Sequence, residues 1–565
     1  MSVETLTFDV LVVGAGPAGL ATALHLRRLG RLRGQALSVG VLEKAARIGD
    51  HLLAGALVDP ALLTALLPDW DEQSTTAGGA GAAPLESPVL EESLWLLRRQ
   101  QAHPLPLLRE WRHDQGGRHG AARMVSLGLL CRWLAERAEQ QGVDVFPGFA
   151  ATSLLWEGQQ LVGVVSGDLG RDRAGQPKAG FQPGVCLRAP VTVLAEGCRG
   201  FLSGQVIRRL GLAAAIPNKR SSPQRYALGI KELWETPDSQ AGAVLHTLGW
   251  PLESAWRQHA HGGGFLYRPR ANRTALGLVV DLDYRHPLLD PFVALQHWKQ
   301  HPLIRPHLHS GRLLGYGART LAIGGWQSLP QLAFAGGMLV GDSAGFLNAA
   351  TLQGIGNALA SGQLAAETIL TAFDRRDFSA RCLQDYTEAV LHSSWGQALQ
   401  RVRNVRPGFR GGLWSGLLNA LWEHTLAGRS PWTLHWRQRD RQRLQPRLSG
   451  EPPPLPPPPV GHPSLERSSA LAASGLHYAE DQPVHLQLGD PDLPGREGRH
   501  RFANPELRFC PAAVFELRAL AEERWGLRLH ADQCLHCKCC DIKDPLDNIR
   551  WTPPQGGSGP GYREM

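Results

Sequence analysis

No stretch of about 18 consecutive apolar residues occurs in the chain, which is roughly what a membrane-spanning helix requires, so such a helix is excluded. The start, MSVETLTFDVLVVGAG, lacks a basic leader, an apolar signal core and an Arg/Ser-rich amphipathic stretch, and the expectation is a chain that is not exported. Positive charge is in modest excess, net +8 and mostly arginine, yet no basic run gathers it. A nucleic-acid footprint would be clustered and interleaved with aromatics, so no nucleic-acid partner is expected. Mild attraction to anionic lipid fits better. Cysteine is scarce, nine in 565 residues, and unevenly placed: Cys131, Cys186, Cys198 and Cys382 are scattered, whereas five lie between Cys510 and Cys540. Thiols of an unexported chain stay reduced unless they hold metal, so the crowded five need a chemical reason. With 43% hydrophobic and 19% charged residues, the rest is ordinary globular composition, enough for two or three packed domains.

Phe8 to Val13 is a short β-branched, apolar run, followed by Gly14-Ala15-Gly16-Pro17-Ala18-Gly19 and a helical pattern at Leu20, Leu24 and Leu26. This spacing predicts strand, glycine turn and helix. Gly14 permits the tight turn, Gly16 lets the backbone approach a pyrophosphate, and Gly19 lets helix pack closely on strand. A second strand, Leu37 to Leu42, ends at Glu43, 24 positions after Gly19, where a carboxylate can accept from ribose hydroxyls. Far downstream, Met338-Leu339-Val340-Gly341-Asp342-Ser343 delivers Asp342 into a glycine-flanked turn, suited to a ribityl hydroxyl and so to FAD rather than NAD. Gly354-Ile355-Gly356-Asn357 opens another helical stretch, whose N-terminal dipole favours negative charge on a reduced flavin. Val191 to Cys198 supplies a third strand and glycine turn, with Cys198 read as a small buried residue rather than a redox thiol.

At the other end, Cys510-Pro511 is followed after 23 residues by Cys534-Leu535-His536-Cys537-Lys538-Cys539-Cys540. A compact C-x2-C-x2-C arc plus one remote cysteine beside proline suits a [4Fe-4S] cube, and assigns Cys510, Cys534, Cys537 and Cys540 as ligands. The alternative is zinc on four thiolates, which usually uses two separated C-x2-C pairs. His536 is expected to be solvated and Cys539 is surplus. Pro452 to Pro459 is nearly all proline and marks a linker before this end.

Between Asn404 and Trp436, Leu413, Leu417 and Leu421 fall on one helical row and Trp414, Leu418 and Trp422 on the next, with Ser415, Asn419 and Glu423 as a narrow polar row. Arg403, Arg406, Arg410 and Arg429 flank it. A core helix would show the same stripe, but arginines and tryptophans around a short apolar helix suit an interfacial position. Leu105-Pro106-Leu107-Leu108 forms a second apolar patch.

On these residues the chain resembles the electron-transfer flavoprotein:ubiquinone oxidoreductase family along nearly its whole length. Val41 to Gly49, Leu245 to Leu252, Gly262-Gly263-Gly264-Phe265-Leu266-Tyr267, Tyr316-Gly317-Ala318-Arg319 and the cysteine-rich tail carry the likeness. It implies α/β and α+β architecture: a Rossmann-like FAD domain over 1–225 and 311–400, an inserted quinone-binding domain over 226–310, a membrane-contact segment over 401–440, a Pro-rich linker over 441–480 and a ferredoxin-like [4Fe-4S] domain over 481–565. It also implies that a backbone N–H at Gly263 or Gly264 meets a quinone carbonyl. The implied activity passes electrons from reduced electron-transfer flavoprotein through the cluster and FAD to ubiquinone, at the cytoplasmic face of a bacterial inner membrane. An FAD-dependent reductase or hydroxylase of a small lipid or isoprenoid shares the N-terminal domain, and a scaffold with a degenerate flavin site is the non-enzymatic alternative. Three departures from the family stand out. Ala349 to Gly356 lacks the family's lysines and Gly-Thr-His, which predicts a lowered flavin potential, while Phe515 and Cys539 replace a tyrosine and a threonine that donate toward cluster sulfur, which predicts a lowered cluster potential.

Overall fold

In the computed structural model the described residues are all except 1–3, 54–56, 71–81, 107–121, 214–220, 238, 253–259, 448–454, 521–523 and 563. Leu107, Leu108 and Pro452 to Pro454 of the segments singled out above therefore lie outside them. Val10–Val13 is buried at every position, as a strand flanked on both faces must be. It is an inner strand of a six-stranded sheet ordered Ala333–Phe334, Gly337–Leu339, Val191–Leu194, Val10–Val13, Val39–Glu43, Asp144–Pro147. All neighbours are parallel except the first pair. Helix Pro17–Leu32, whose N-cap is Gly16, packs on helix Ile355–Arg375 and on Leu127–Gln140. The expected strand, turn, helix, strand and acid are thus in place, and the carboxyl ends of the strands point at one crevice.

A second sheet of seven strands runs Arg312–Ala322, Tyr226–Glu235, Arg273–Asp281, Gly262–Arg270, Ala243–Gly249, Glu91–Leu97, Ala102–Leu105. Only the contact between Ala243–Gly249 and Glu91–Leu97 is parallel. The sheet borrows strands from both sides of the 226–310 range, which hydrophobic pattern cannot reveal because paired positions such as Ala243 and Glu91, or Tyr226 and Ala322, lie far apart in the chain. Asp290 caps helix Pro291–Lys299 by accepting from Phe292 N and Val293 N at 3.0 and 3.1 Å.

The C-terminal region is built from two short hairpin-like pairings, Leu486–Leu488 with Ile549–Trp551 and Phe515–Ala519 with Trp525–Leu529, together with helix Cys539–Lys543. Its buried side chains share one core with the seven-stranded sheet, not with the nucleotide sheet. Lys543, wholly buried, donates to Leu282 O and Tyr284 O at 2.6 and 2.7 Å and so fastens the two units. The described part of the Pro-rich stretch meets helix Pro291–Lys299, with His297 Nε2 2.8 Å from Pro456 O.

Helix Leu413–Thr425 has its amphipathic faces reversed relative to a water-facing helix. Glu423 is buried and accepts from Asn404 Nδ2 and Ser430 Oγ, and Asn419 donates to Asn404 O. Trp414, Leu418, Leu421 and Trp422 stand 53 to 70% exposed. Among the described residues no helix is long and apolar enough to cross a membrane.

Candidate functional site

Gly14 has φ +110° and a Cβ there would sit 2.4 Å from Ala195 O; a Cβ on Gly19 would sit 2.1 Å from Gly14 O. Both positions are bare because backbone passes through the space a side chain would need. Gly16 differs, with nothing within 4 Å of its Cβ position. It opens on a cleft of about 510 Å³ also lined by Gly14, Glu43, Asp342 and Gly354. Glu43 is fixed there by accepting from Ala15 N at 3.1 Å and Ala45 N at 2.9 Å. Burial pushes the Asp342 carboxyl up to about 6, with Arg319 opposing. Gly354 is the N-cap of helix Ile355–Arg375, whereas Gly356 meets Leu62 and is a packing position. Open space before Gly16, an anchored acid at one strand end and a helix N-terminus across the cleft fit a bound dinucleotide.

Ala349, Ala350, Thr351 and Leu352 also line the cleft, so the segment expected beside the flavin lies there and carries no cation. Cations reach the cleft from elsewhere: Lys44, Arg319 and Lys538 line it. Burial, reinforced by Arg319 and Lys538 and opposed by Glu43, lowers Lys44 to about 7. Lys538 reaches from inside the cysteine arc to donate to Arg199 O at 2.7 Å. Cys198 is buried on the same wall, its Sγ 3.6 Å from Thr320 Oγ1, and burial raises its pKa to about 12.

The glycine run forms part of strand Gly262–Arg270 rather than a loop before it. A Cβ on Gly264 would enter the Trp298 indole at 2.3 Å, and one on Gly263 would sit 2.4 Å from Thr247 O. Thr247 Oγ1 accepts from Gly264 N at 3.2 Å and from Trp298 Nε1 at 2.9 Å, so the Gly264 amide is already engaged. Gly262, Gly263 and Gly264 line the same cleft, beside Glu92 and His246, whose Nε2 lies 3.1 Å from Glu92 Oε1. Leu417 and Ala420 of the outward-turned helix line it as well.

All nine cysteines are free, and Cys510, Cys534, Cys537 and Cys540 are no more than 8% exposed. Burial, with the other three thiols as the next causes, raises Cys540 well above its usual range; burial also pushes Cys534 up to about 12. Thiols so crowded and dry stay protonated unless a cation accompanies them, and backbone amides of Val514 and His536 lie 3.5 and 3.4 Å from Cys510 Sγ and Cys534 Sγ, ready to donate to thiolate. The four sequence-assigned ligands thus fit a buried metal cluster. Cys539 is wholly buried near Lys543 and Asp440, and Phe515 is buried in its strand.

His536 is only 2% exposed, not solvated. Its Nε2 lies 2.9 Å from Tyr478 Oη and its Nδ1 3.4 Å from Lys44 Nζ, and Tyr478 in turn donates to Cys534 O at 2.5 Å. Lys44 Nζ also lies 2.6 Å from His51 Nδ1. Trp551 lines the cleft and packs edge-on against His536 at 5.5 Å between centroids. Cysteine arc and cleft are therefore neighbours across a single layer of side chains. Tyr478, His485, His51 and Trp551 escaped the sequence reading because none belongs to a local motif.

The description "Electron transfer flavoprotein-ubiquinone oxidoreductase, 4Fe-4S" matches residues 461–563, and "ETF-QO, ubiquinone-binding" matches 226–321. The mitochondrial electron transfer flavoprotein-ubiquinone oxidoreductase of rice is 41% identical over 568 aligned positions, covering 100% of this chain and 94% of that protein. The human mitochondrial protein of the same name is 39% identical, covering 99% and 89%. Among solved structures, a geranylgeranyl bacteriochlorophyll reductase-like protein from Thermoplasma acidophilum aligns with TM-score 0.52 and 18% identity, over 75% of this chain and 88% of that one. A myxobacterial chondrochloren halogenase, described as FAD-dependent, aligns with TM-score 0.50 and 20% identity, over 77% and 94%. These two likenesses concern the fold.

Proposed function

The chain belongs to the electron transfer flavoprotein-ubiquinone oxidoreductase family, and from that premise we propose that it passes electrons from reduced electron-transfer flavoprotein, through a [4Fe-4S] cluster and FAD, to ubiquinone or a related quinone at a membrane surface. The observation that carries this reading is the single cleft running from the glycine turn at Gly14 and Gly16, past Gly262 to Gly264, to Leu417 and Ala420 of a helix whose opposite side is bare and apolar. An exposed patch of two tryptophans and two leucines calls for an apolar partner, and a quinone tail resides in lipid.

Gly14, Gly16, Glu43, Asp342 and Gly354 hold FAD, with Gly19 and Gly356 giving the backbone its close approaches. Cys510, Cys534, Cys537 and Cys540 hold the cluster. When bound, the cluster supplies one-electron transfer and FAD the capacity for two. The chain's own residues position and insulate. Thr247 and Trp298 pin the Gly264 amide in the strand, so Gly263 is the residue of the run we assign to quinone contact. His246 and Glu92 offer titratable groups at that end of the cleft, and Lys44, Arg319 and Lys538 place positive charge where FAD is expected. Of the four arginines expected to meet lipid, Arg403 and Arg406 are bound to protein, donating to Gly428 O and Ser430 O and to Asp281 respectively. Arg410, exposed although one N–H goes to His435 O at 3.2 Å, and Arg429, also exposed, are the two we assign to headgroups. We extend the reading to peripheral attachment at the cytoplasmic face of a bacterial inner membrane, which cell fractionation tests.

Purified protein should contain flavin, iron and sulfide and should reduce a short-chain ubiquinone when given reduced electron-transfer flavoprotein. Rapid NAD(P)H oxidation without that donor would instead support the lipid-reductase reading.

A further inference from the structure

A buried histidine beside the cysteine arc has no hydrogen-bond partner among the described residues. His485 is 2% exposed, and neither Nδ1 nor Nε2 has a hydrogen-bond partner among the described residues. Burying a donor unsatisfied costs about 1–3 kcal/mol, so such a group in a well-packed core calls for an acceptor. The ring is held firmly. Its backbone carbonyl accepts from both Thr552 N and Thr552 Oγ1 at 2.9 Å. One face stacks on Tyr478, 5.7 Å between centroids and 9° between planes, and edges meet His536 at 5.3 Å and Trp551 at 6.2 Å. A ring nitrogen of His485 lies within 4.8 Å of Cys534 Sγ and of a ring nitrogen of His536.

His536 cannot serve the sulfur from its ring. Lys44, a donor, faces its Nδ1, which leaves the Nε2 proton for Tyr478, whose hydroxyl proton goes to Cys534 O. That assignment satisfies every member of the chain; Trp551 Nε1 and the His485 ring both lack partners among the described residues, and it is a His485 ring nitrogen that lies within 4.8 Å of Cys534 Sγ. Phe515 and Cys539 offer no oxygen donor in this region.

We propose that His485 donates its ring N–H to sulfur at the cluster site, where Cys534 Sγ lies within 4.8 Å, and thereby raises the cluster's reduction potential. A donor aimed at cluster sulfur stabilises the more negative, reduced form. His485 acts as a positioning residue, since it supplies no bond to iron. The inference rests on the cluster assignment above, and the test separates the two.

The holoprotein, H485F and H485Q are prepared anaerobically, iron and sulfide are counted, and the cluster is titrated by EPR. With cluster content unchanged, H485F should reduce less readily by about tenfold in equilibrium constant, which is about 59 mV for one electron. H485Q, which keeps an N–H, should recover most of that shift. Full iron and sulfide with an unmoved potential in H485F would overturn the proposal while leaving the cluster intact. Should H485F fail to take up the cluster, pulsed EPR of the unsubstituted holoprotein carrying ring-15N histidine decides: a ring-nitrogen coupling to the reduced cluster is expected, and its absence refutes the contact. Metal without sulfide, a single ion shared by His485, Cys534 and His536, would refute the cluster and this inference together.

Discussion

In front of Gly16 the backbone leaves open space, and Glu43 beside it already has its local partners in Ala15 N and Ala45 N. Around Cys534 the space is closed, four thiols are forced together, and His485 and Trp551 keep ring nitrogens without partners among the described residues. One site is finished before its ligand arrives; the other is completed by it. The difference follows from where each site's residues come from. The nucleotide turn sits in one contiguous strand, turn and helix and is tied to the end of the adjacent strand, where Leu42 O accepts from Gly14 N and Glu43 from Ala15 N, whereas the cysteine arc draws on side chains from Lys44, His51, Tyr478, His485, Cys510 and Trp551. Loss of the ligand should therefore disturb the second region much more than the first.

The sharpest way to break this comparison is Cys537→Ser. Iron and sulfide should fall to background and quinone reduction should vanish, while flavin stays near one per chain; retained sulfide would show that Cys537 is not a ligand. Gly19→Val is the converse. Its Cβ would land 2.1 Å from Gly14 O, forcing the turn apart at a cost of about 1–3 kcal/mol. Flavin content should drop with the cluster EPR signal retained, and equal loss of both groups would show that the two regions fold as one. A double change, Trp414→Ser with Trp422→Ser, removes two side chains that are 64 and 53% exposed. Vesicle binding in a flotation assay should weaken by roughly a hundredfold or more, on the order of 1.5–3 kcal/mol for each of the two side chains taken from lipid, with thermal stability little changed. The smallest effect belongs to Phe515→Tyr and Cys539→Thr, each of which should raise the cluster potential by adding a hydroxyl near sulfur. A titration with no rise in either would leave His485 as the donor that matters.

The same contrast explains what could be read in advance. Gly14, Gly16, Gly19 and Glu43 were legible because their chemistry is local and ordered along the chain, and the C-x2-C-x2-C spacing announced itself for the same reason. Which way helix Leu413–Thr425 faces was not legible: a Leu/Trp stripe with one polar row describes a core helix and an interfacial one equally well, and Glu423 meeting Asn404 and Ser430, with Asn419 donating to Asn404 O, turns that end of the polar row inward while Ser415 stays exposed. The glycine run reads as a flexible link until Trp298 is seen filling the place of a Gly264 side chain. His536 reads as solvated inside the arc, and is buried because Tyr478 and His485 arrive from a segment upstream and Trp551 from the strand that follows.

On the membrane attachment proposed above, the outward apolar side of helix Leu413–Thr425 would also change which variable governs turnover. A protein held in the plane of a bilayer with its cleft opening at that plane meets its acceptor by lateral diffusion in two dimensions. Its rate should then follow the mole fraction of quinone in the lipid, not the amount of quinone per volume of buffer. Diluting the vesicles should leave the rate per enzyme unchanged, and diluting the quinone with more lipid should slow it.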